Sequence, residues 1–271
     1  MEIFVVIEFL IIVYLIIKLV KTKKKHSEST SIPDFDEPQG KDCKSVTYSW
    51  KLDSARKTQL KGHLTLKFDS KEIEEQRAAN PYAIPTPGMD NETCIKKMYY
   101  YMLSHPRTIM HVADIVKYIN RECSKKGVGE LDKLQFVLDF VQEPNVKYNY
   151  DDDCKEISNT RQYIRFPDET LYDRHGDCDC KSFLAASLFH VMGYNVLFMM
   201  SQKLMHAAIC IEYDQKWEPF LQSKKQLEDV TVELQGRKYV FCETTSDGFR
   251  IGGIAEDSSI DDFDIILELR A

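Results

Sequence analysis

Apolar residues are densest at the amino terminus, where Ile3 to Val20 reads IFVVIEFLIIVYLIIKLV with Glu8 and Lys18 as its charges. As a helix this run is about 27 Å long, close to the hydrocarbon thickness of a bilayer, so it predicts a single spanning helix. It has no polar face to turn toward water, which argues against a buried core helix. Met1-Glu2 gives no basic start, and lysines rather than a small-residue cleavage site follow, so a retained anchor is expected rather than a cleaved leader. Lys18, Lys21, Lys23, Lys24 and Lys25 lie on the carboxyl side, which places the rest of the chain in the cytoplasm. Residues 1–25 therefore read as a membrane anchor with a basic flank, and a lipid bilayer is an expected partner through residues 3–20.

The pattern then changes. Residues 26–44 are polar, contain two prolines and lack periodicity, as expected of a tether. Val46 to Leu52 and His63 to Phe68 alternate with period two and predict a β-hairpin. Asp69 with Glu72 opens a short helix to Arg77, and residues 45–88 read as a small amino-terminal β module. Helical spacing marks Asp90–Ser104, Thr108–Ser124 and the face Leu131, Leu134, Val137, Leu138, Val141. Residues 143–177 read as irregular. A helix follows from Cys178 to Met192, stopped by Gly193. Strands are expected at Tyr194–Ser201, Ala207–Tyr213, Lys238–Glu243 and Asp264–Leu269. A helix followed by a run of strands predicts an α+β fold for residues 89–271.

Composition narrows the chemistry. In 271 residues, 36 Lys and Arg face 43 Asp and Glu, a net charge of −7, and the balance is more acidic still without the lysine-rich anchor. Such a chain has no general attraction for phosphate backbones, so nucleic acid is not an expected partner. Eight cysteines lack the spacing of a disulfide scaffold or zinc knuckles and suit reduced thiols in a cytosolic domain. The acidic runs at 151–153 and 256–264 lack the spacing of a calcium loop, and no cofactor is expected.

The most informative stretch is Arg174-His-Gly-Asp-Cys178-Asp-Cys180-Lys-Ser182, ahead of the apolar helix. A glycine allows a tight turn into the helix, and a cysteine at its first position sits where free N–H groups and the dipole favour a thiolate, lowering the thiol pKa. Those N–H groups can also receive the oxyanion of a tetrahedral intermediate. A thiol nucleophile needs a base and a group to orient it. His206, at the mouth of one strand, and Glu243, at the end of another, are candidates for those roles.

In order and wording, Gly176-Asp177-Cys178-Asp179-Cys180-Lys181-Ser182, His206 and Glu243-Thr244-Thr245 resemble the transglutaminase-like cysteine enzyme superfamily, particularly its microbial members. Arg165-Phe-Pro-Asp-Glu-Thr-Leu171 resembles the family's lead-in, and the likeness covers residues 90–255. It implies a papain/transglutaminase-like core, a Cys-bearing helix packed on an antiparallel sheet that carries the His and the acid. It also implies Cys178 as nucleophile, His206 as base and then acid, and Glu243 as the residue that holds the imidazole. Relatives commonly carry Asp at the third position, so Glu243 is one methylene longer, and Cys180 stands where they are often acidic. The expected activity is attack on an amide of a protein or peptide substrate through an acyl-thioester, with hydrolysis favoured over transfer to lysine.

Competing readings are a zinc site drawn from Cys178, Cys180, His206, Cys210 and Cys242, and a catalytically silent module that keeps the fold. Cys180 could form an oxidised off state with Cys178 or simply fill the core. Tyr172 is a candidate oxyanion donor, and residues 215–237, long for a connector and close in sequence to His206, read equally as a substrate lid or a surface hairpin.

Overall fold

The computed structural model describes residues 42–52, 59–80, 100–102, 106–142, 144–150, 163–221 and 227–271. The anchor at 3–20, nearly all of the tether, most of Asp90–Ser104 and the boundary at 88/89 lie outside these residues. Among the described residues no helix is long and apolar enough to cross a membrane.

Alternation builds the first hairpin. Strand β1 (Cys43–Lys51) pairs antiparallel with β2 (Lys61–Asp69), with Trp50 opposite Gly62. A Cβ on Gly62 would lie 2.4 Å from the Trp50 ring, so the glycine lets the indole lie flat across the neighbouring strand. Asp69 then caps α1 (Ser70–Ala78) by accepting the Lys71 N–H. Helices α2 (Pro106–Lys125) and α3 (Glu130–Val141) follow. On α3 the apolar positions form more than a stripe. Leu134, Phe136, Val137, Leu138, Phe140 and Val141 are all fully buried, because the hairpin covers a side that a surface helix would leave wet. Trp50 stacks on Phe136, meets Phe140 edge-on, both at 4.9 Å, and donates its indole N–H to Phe136 O. The hairpin thus shares one core with the helices.

The stretch expected to be irregular carries order of its own. Helix α4 (Pro167–Asp173) starts with proline and two acids, and Glu169 reaches back to accept the Phe166 N–H at 2.9 Å. Two short strands, β3 (Lys147–Tyr148) and β4 (His175–Gly176), pair in parallel, setting Tyr148 beside Gly176.

Helix α5 (Cys178–Val191) follows at once, and Gly193 in a left-handed conformation stops it as the sequence predicts. Then come β5 (Val196–Ser201), β6 (His206–Glu212), β7 (Thr231–Leu234), β8 (Arg237–Cys242) and β9 (Asp264–Leu269). They form an antiparallel sheet in the order β7-β8-β6-β5-β9. One face, with Ala207, Ile209, Ile211, Val240 and Cys242, joins the α5 core. The opposite face, with Ala208, Cys210, Tyr239 and Phe241, packs on Ile260 and Phe263. Burial on both sides explains the nearly unbroken apolar strands. The architecture is the expected α+β one, a helix packed on an antiparallel sheet.

The described residues of the 215–237 connection lead away from His206. Because β6 and β8 are antiparallel, the connection leaves the Glu212 end of β6, about 20 Å along the strand from His206. It holds two short 3₁₀ turns and the edge strand β7, and Trp217 is buried in the main core. The described residues of this connection fit the hairpin reading.

Candidate active site

Helix α5 begins on a cap. Asp177 accepts the Cys180 N–H at 3.1 Å, which leaves Cys178 at the first helical position. Gly176 is needed for space rather than for an unusual turn. A Cβ there would fall 2.6 Å from Cys180 Cβ.

Cys178 is half-buried and has a free thiol. The backbone N–H groups of Ala207 and Asp179 lie near enough to favour its thiolate. Ala207 directly follows His206, so the sulfur lies against the opening residues of β6. The second neighbour is Tyr148: burial, followed by the charge of a Cys178 thiolate, raises the proton affinity of its hydroxyl. Parallel pairing of β3 with β4 places that tyrosine, and its ring packs edge-on at 5.1 Å against Tyr150, which is 70% exposed.

His206 and Glu243 meet. His206 Nε2 lies 2.9 Å from Glu243 Oε2, and the imidazole edge is 6.1 Å from the Phe263 ring centre. The second carboxylate oxygen, Oε1, accepts the Thr245 N–H at 2.8 Å and its hydroxyl at 2.6 Å. Burial opposes ionisation of Glu243. The imidazole and the two Thr245 donors outweigh it and hold the carboxyl below its usual range. With Nε2 taken by the acid, Nδ1 is the ring nitrogen left for proton transfer.

The thiol differs from the sequence expectation. Burial, followed by the charges of Asp179 and Asp177, pushes Cys178 up to about 12, and the N–H groups of Ala207 and Asp179 recover part of that rise. A helix start flanked by two carboxylates is a weaker thiolate site than a bare one, so the resting group is a thiol.

The other candidates scatter. The Tyr172 hydroxyl bonds Ser70 Oγ at 3.0 Å, and its ring meets Phe68 edge-on at 5.8 Å, so it is engaged with the hairpin and α1. Cys180 is fully buried, with its sulfur accepting the Arg165 N–H at 3.3 Å. Two residues on a helix are about 200° apart, so Cys180 fills the core instead of facing Cys178. Cys242 sits on the α5 face of the sheet, whereas Cys210 sits on the opposite face with its sulfur 3.2 Å from Met199 Sδ. The proposed zinc set is therefore not gathered round one point. Among the described residues, ligand atoms of Asp177, Asp179 and Cys180 lie within 4.8 Å of one another, but the first caps α5 and the third is held by Arg165.

Tyr148 is the neighbour that sequence reasoning missed. Its signal would have been the short apolar-aromatic run Val146-Lys-Tyr148 ahead of the acidic stretch, too brief to register as a strand.

Residues 114–218 match a family described as a transglutaminase-like domain. The matched segment contains Cys178 and His206 and ends before Glu243. It supports a place in that superfamily of cysteine-dependent acyl-transfer and hydrolytic domains. No curated protein and no solved structure matches the chain.

Proposed function

We propose that the protein is a cysteine enzyme that opens an amide bond of a protein or peptide through an acyl-thioester, with Cys178 as nucleophile, His206 as base and then acid, and Glu243 as the orienting group. The observation that carries this reading is the His206–Glu243 hydrogen bond at the start of β6, next to Ala207, whose N–H favours the Cys178 thiolate.

Because burial keeps Cys178 protonated, attack and proton transfer are coupled. As Sγ bonds to the carbonyl carbon, its proton passes to His206 Nδ1, and the imidazolium is stabilised by Glu243. The carbonyl oxygen takes the negative charge and is received by the Cys178 backbone N–H and the Tyr148 hydroxyl. Collapse breaks the C–N bond, and His206 returns the proton to the leaving amine. His206 then takes a proton from water, whose oxygen attacks the thioester; the C–S bond breaks, His206 returns the proton to sulfur, and the products are a carboxylic acid and the free thiol. Water is favoured over an amine as acceptor because Cys178 is half-buried and the His206 side chain is 23% exposed, so solvent reaches the site.

The apolar run at 3–20 and its lysine flank would hold this chemistry on the cytoplasmic face of a membrane. A silent module is the weaker reading, since the acid, the imidazole and the thiol are all present and the first two are already bonded.

The test is incubation of the full chain with denatured casein and monodansylcadaverine. New peptide amino termini that depend on Cys178 mark hydrolysis, and fluorescence bound to casein marks transfer. Neither product, or products unchanged in Cys178→Ala, would contradict the reading.

A further inference from the structure

Three residues beyond Cys178, α5 carries a lysine into the core. Lys181 is 0% exposed, and its ammonium donates to Val146 O at 2.7 Å and Thr245 O at 2.8 Å. Removing a cation from water is costly unless hydrogen bonds replace the lost solvation. An apolar side chain would fill this position without that cost. What it could not do is hold two carbonyls from distant parts of the chain.

Both carbonyls lead into the site. Val146 is two residues before Tyr148, in the segment that Lys147 N–H fastens to Arg174 O at 2.9 Å. Thr245 is the residue that grips Glu243 Oε1 with its N–H and hydroxyl. Ser182, the next helical residue, reinforces the same junction. Its hydroxyl donates to Ala207 O at 3.1 Å and meets Thr244 Oγ1 at 2.8 Å.

We propose that Lys181 is a positioning residue of this site: its buried ammonium ties the Tyr148 strand and the Glu243–Thr245 clamp to the helix that bears Cys178. The inference rests on the thiol reading above. It gives one cation control over two otherwise separate parts of the chemistry. The Tyr148 hydroxyl keeps its place beside the sulfur, and the Glu243 carboxylate keeps its line to His206. Without the ammonium, both backbone segments must find other partners for buried carbonyls, and the chemistry suffers before the fold is lost.

A double-mutant cycle of Lys181→Met and Glu243→Gln on the full chain tests this, with acylation by p-nitrophenyl acetate as the readout and circular dichroism to select a temperature at which every variant is folded. Lys181→Met is expected to slow acylation about 10- to 100-fold, as a misplacement near one ångström would. The pH profile of Cys178 alkylation by iodoacetamide should shift from the wild type in the same direction as that of Glu243→Gln. The double variant should be slower than Glu243→Gln by a clearly smaller factor than Lys181→Met alone produces, because the part of the lysine's effect that runs through the Glu243 carboxylate is already gone. A purely structural lysine predicts effects that multiply and an unchanged pH profile, and either result overturns the proposal, as does wild-type acylation by Lys181→Met. If Lys181→Met does not fold, the same cycle is run with Lys181→Gln, whose amide can keep one carbonyl. Wild-type acylation by Cys178→Ala would instead bring down the thiol reading itself.

Discussion

His206 Nε2 and Glu243 Oε2 stand 2.9 Å apart, although 37 residues separate them in the chain. The antiparallel pairing of β6 with β8 brings the start of one strand beside the residue that follows the end of the other. Thr245 fixes the opposite carboxylate oxygen, so the extra methylene of a glutamate is held at two points rather than left to swing. Glu243→Gln keeps this shape and removes the charge that stabilises an imidazolium. Its turnover of p-nitrophenyl acetate should fall by about 10²-fold or more, measured by steady-state absorbance. Glu243→Asp should lie between the two, because the shorter side chain cannot reach both Thr245 and His206. Wild-type turnover in Glu243→Gln would remove the acid from the account.

Asp179 raises the proton affinity of Cys178 more than Asp177 does. Asp179→Asn is therefore expected to speed alkylation of Cys178 by iodoacetamide at pH 7.5 by about tenfold, the change that one unit of thiol pKa produces below the pKa. Stopped aliquots read by peptide mass spectrometry give the rate at this cysteine alone. An unchanged or slower rate would show that burial, not the neighbouring charge, controls the thiol.

How much of this was legible depended on how far each signal extends along the chain. The hairpin, α2, α3, α5 and four of the five sheet strands announced themselves through repeated apolar positions. His206 and Glu243 were visible because each polar residue sits at the end of a strand whose interior is apolar. Tyr148 and Lys181 carried no such signal. Tyr148 lies in a two-residue strand whose partner, His175–Gly176, is equally short, and a lysine in an apolar helix reads as a surface residue until its carbonyl partners are known. Helix α4 was overlooked despite a recognisable start, Pro167 followed by Asp168 and Glu169, because seven residues are too few to show a period. The raised thiol pKa was hidden for a different reason: the helix start could be read from sequence, but the depth of burial could not.

His111 supplies a pH-dependent contribution to stability. Its Nε2 donates to Lys67 O at 3.0 Å, and its Nδ1 lies 3.1 Å from Asp168 Oδ2, so the charged ring suits both neighbours. Burial opposes the charge, but Asp168 and the Lys67 carbonyl outweigh it and raise the histidine above its ordinary value. A raised folded-state pKa means that the stabilisation is complete below about pH 6.5, the ordinary histidine value, and is lost as pH climbs through the folded value. Urea titrations of the wild type and His111→Gln should therefore differ most at pH 5.5 and converge toward pH 9. A gap that widens with pH would contradict the assignment.

Trp50 tests whether the hairpin belongs to the main core. It stacks on Phe136 and Phe140 and fills the space left by Gly62. Trp50→Ala should cost about 3–5 kcal/mol in urea unfolding, as large aromatic truncations in cores do. A loss below about 1 kcal/mol would mean that the hairpin is an appendage whose packing the helices do not need.

The most direct measurement is intact-mass and peptide mapping of the full chain quenched early in its reaction with p-nitrophenyl acetate. The account predicts one acetyl group on Cys178 in the wild type, formed at least tenfold more slowly in His206→Ala, with the other buried thiols unmodified. Acetyl groups spread over several cysteines, or none on Cys178, would contradict it.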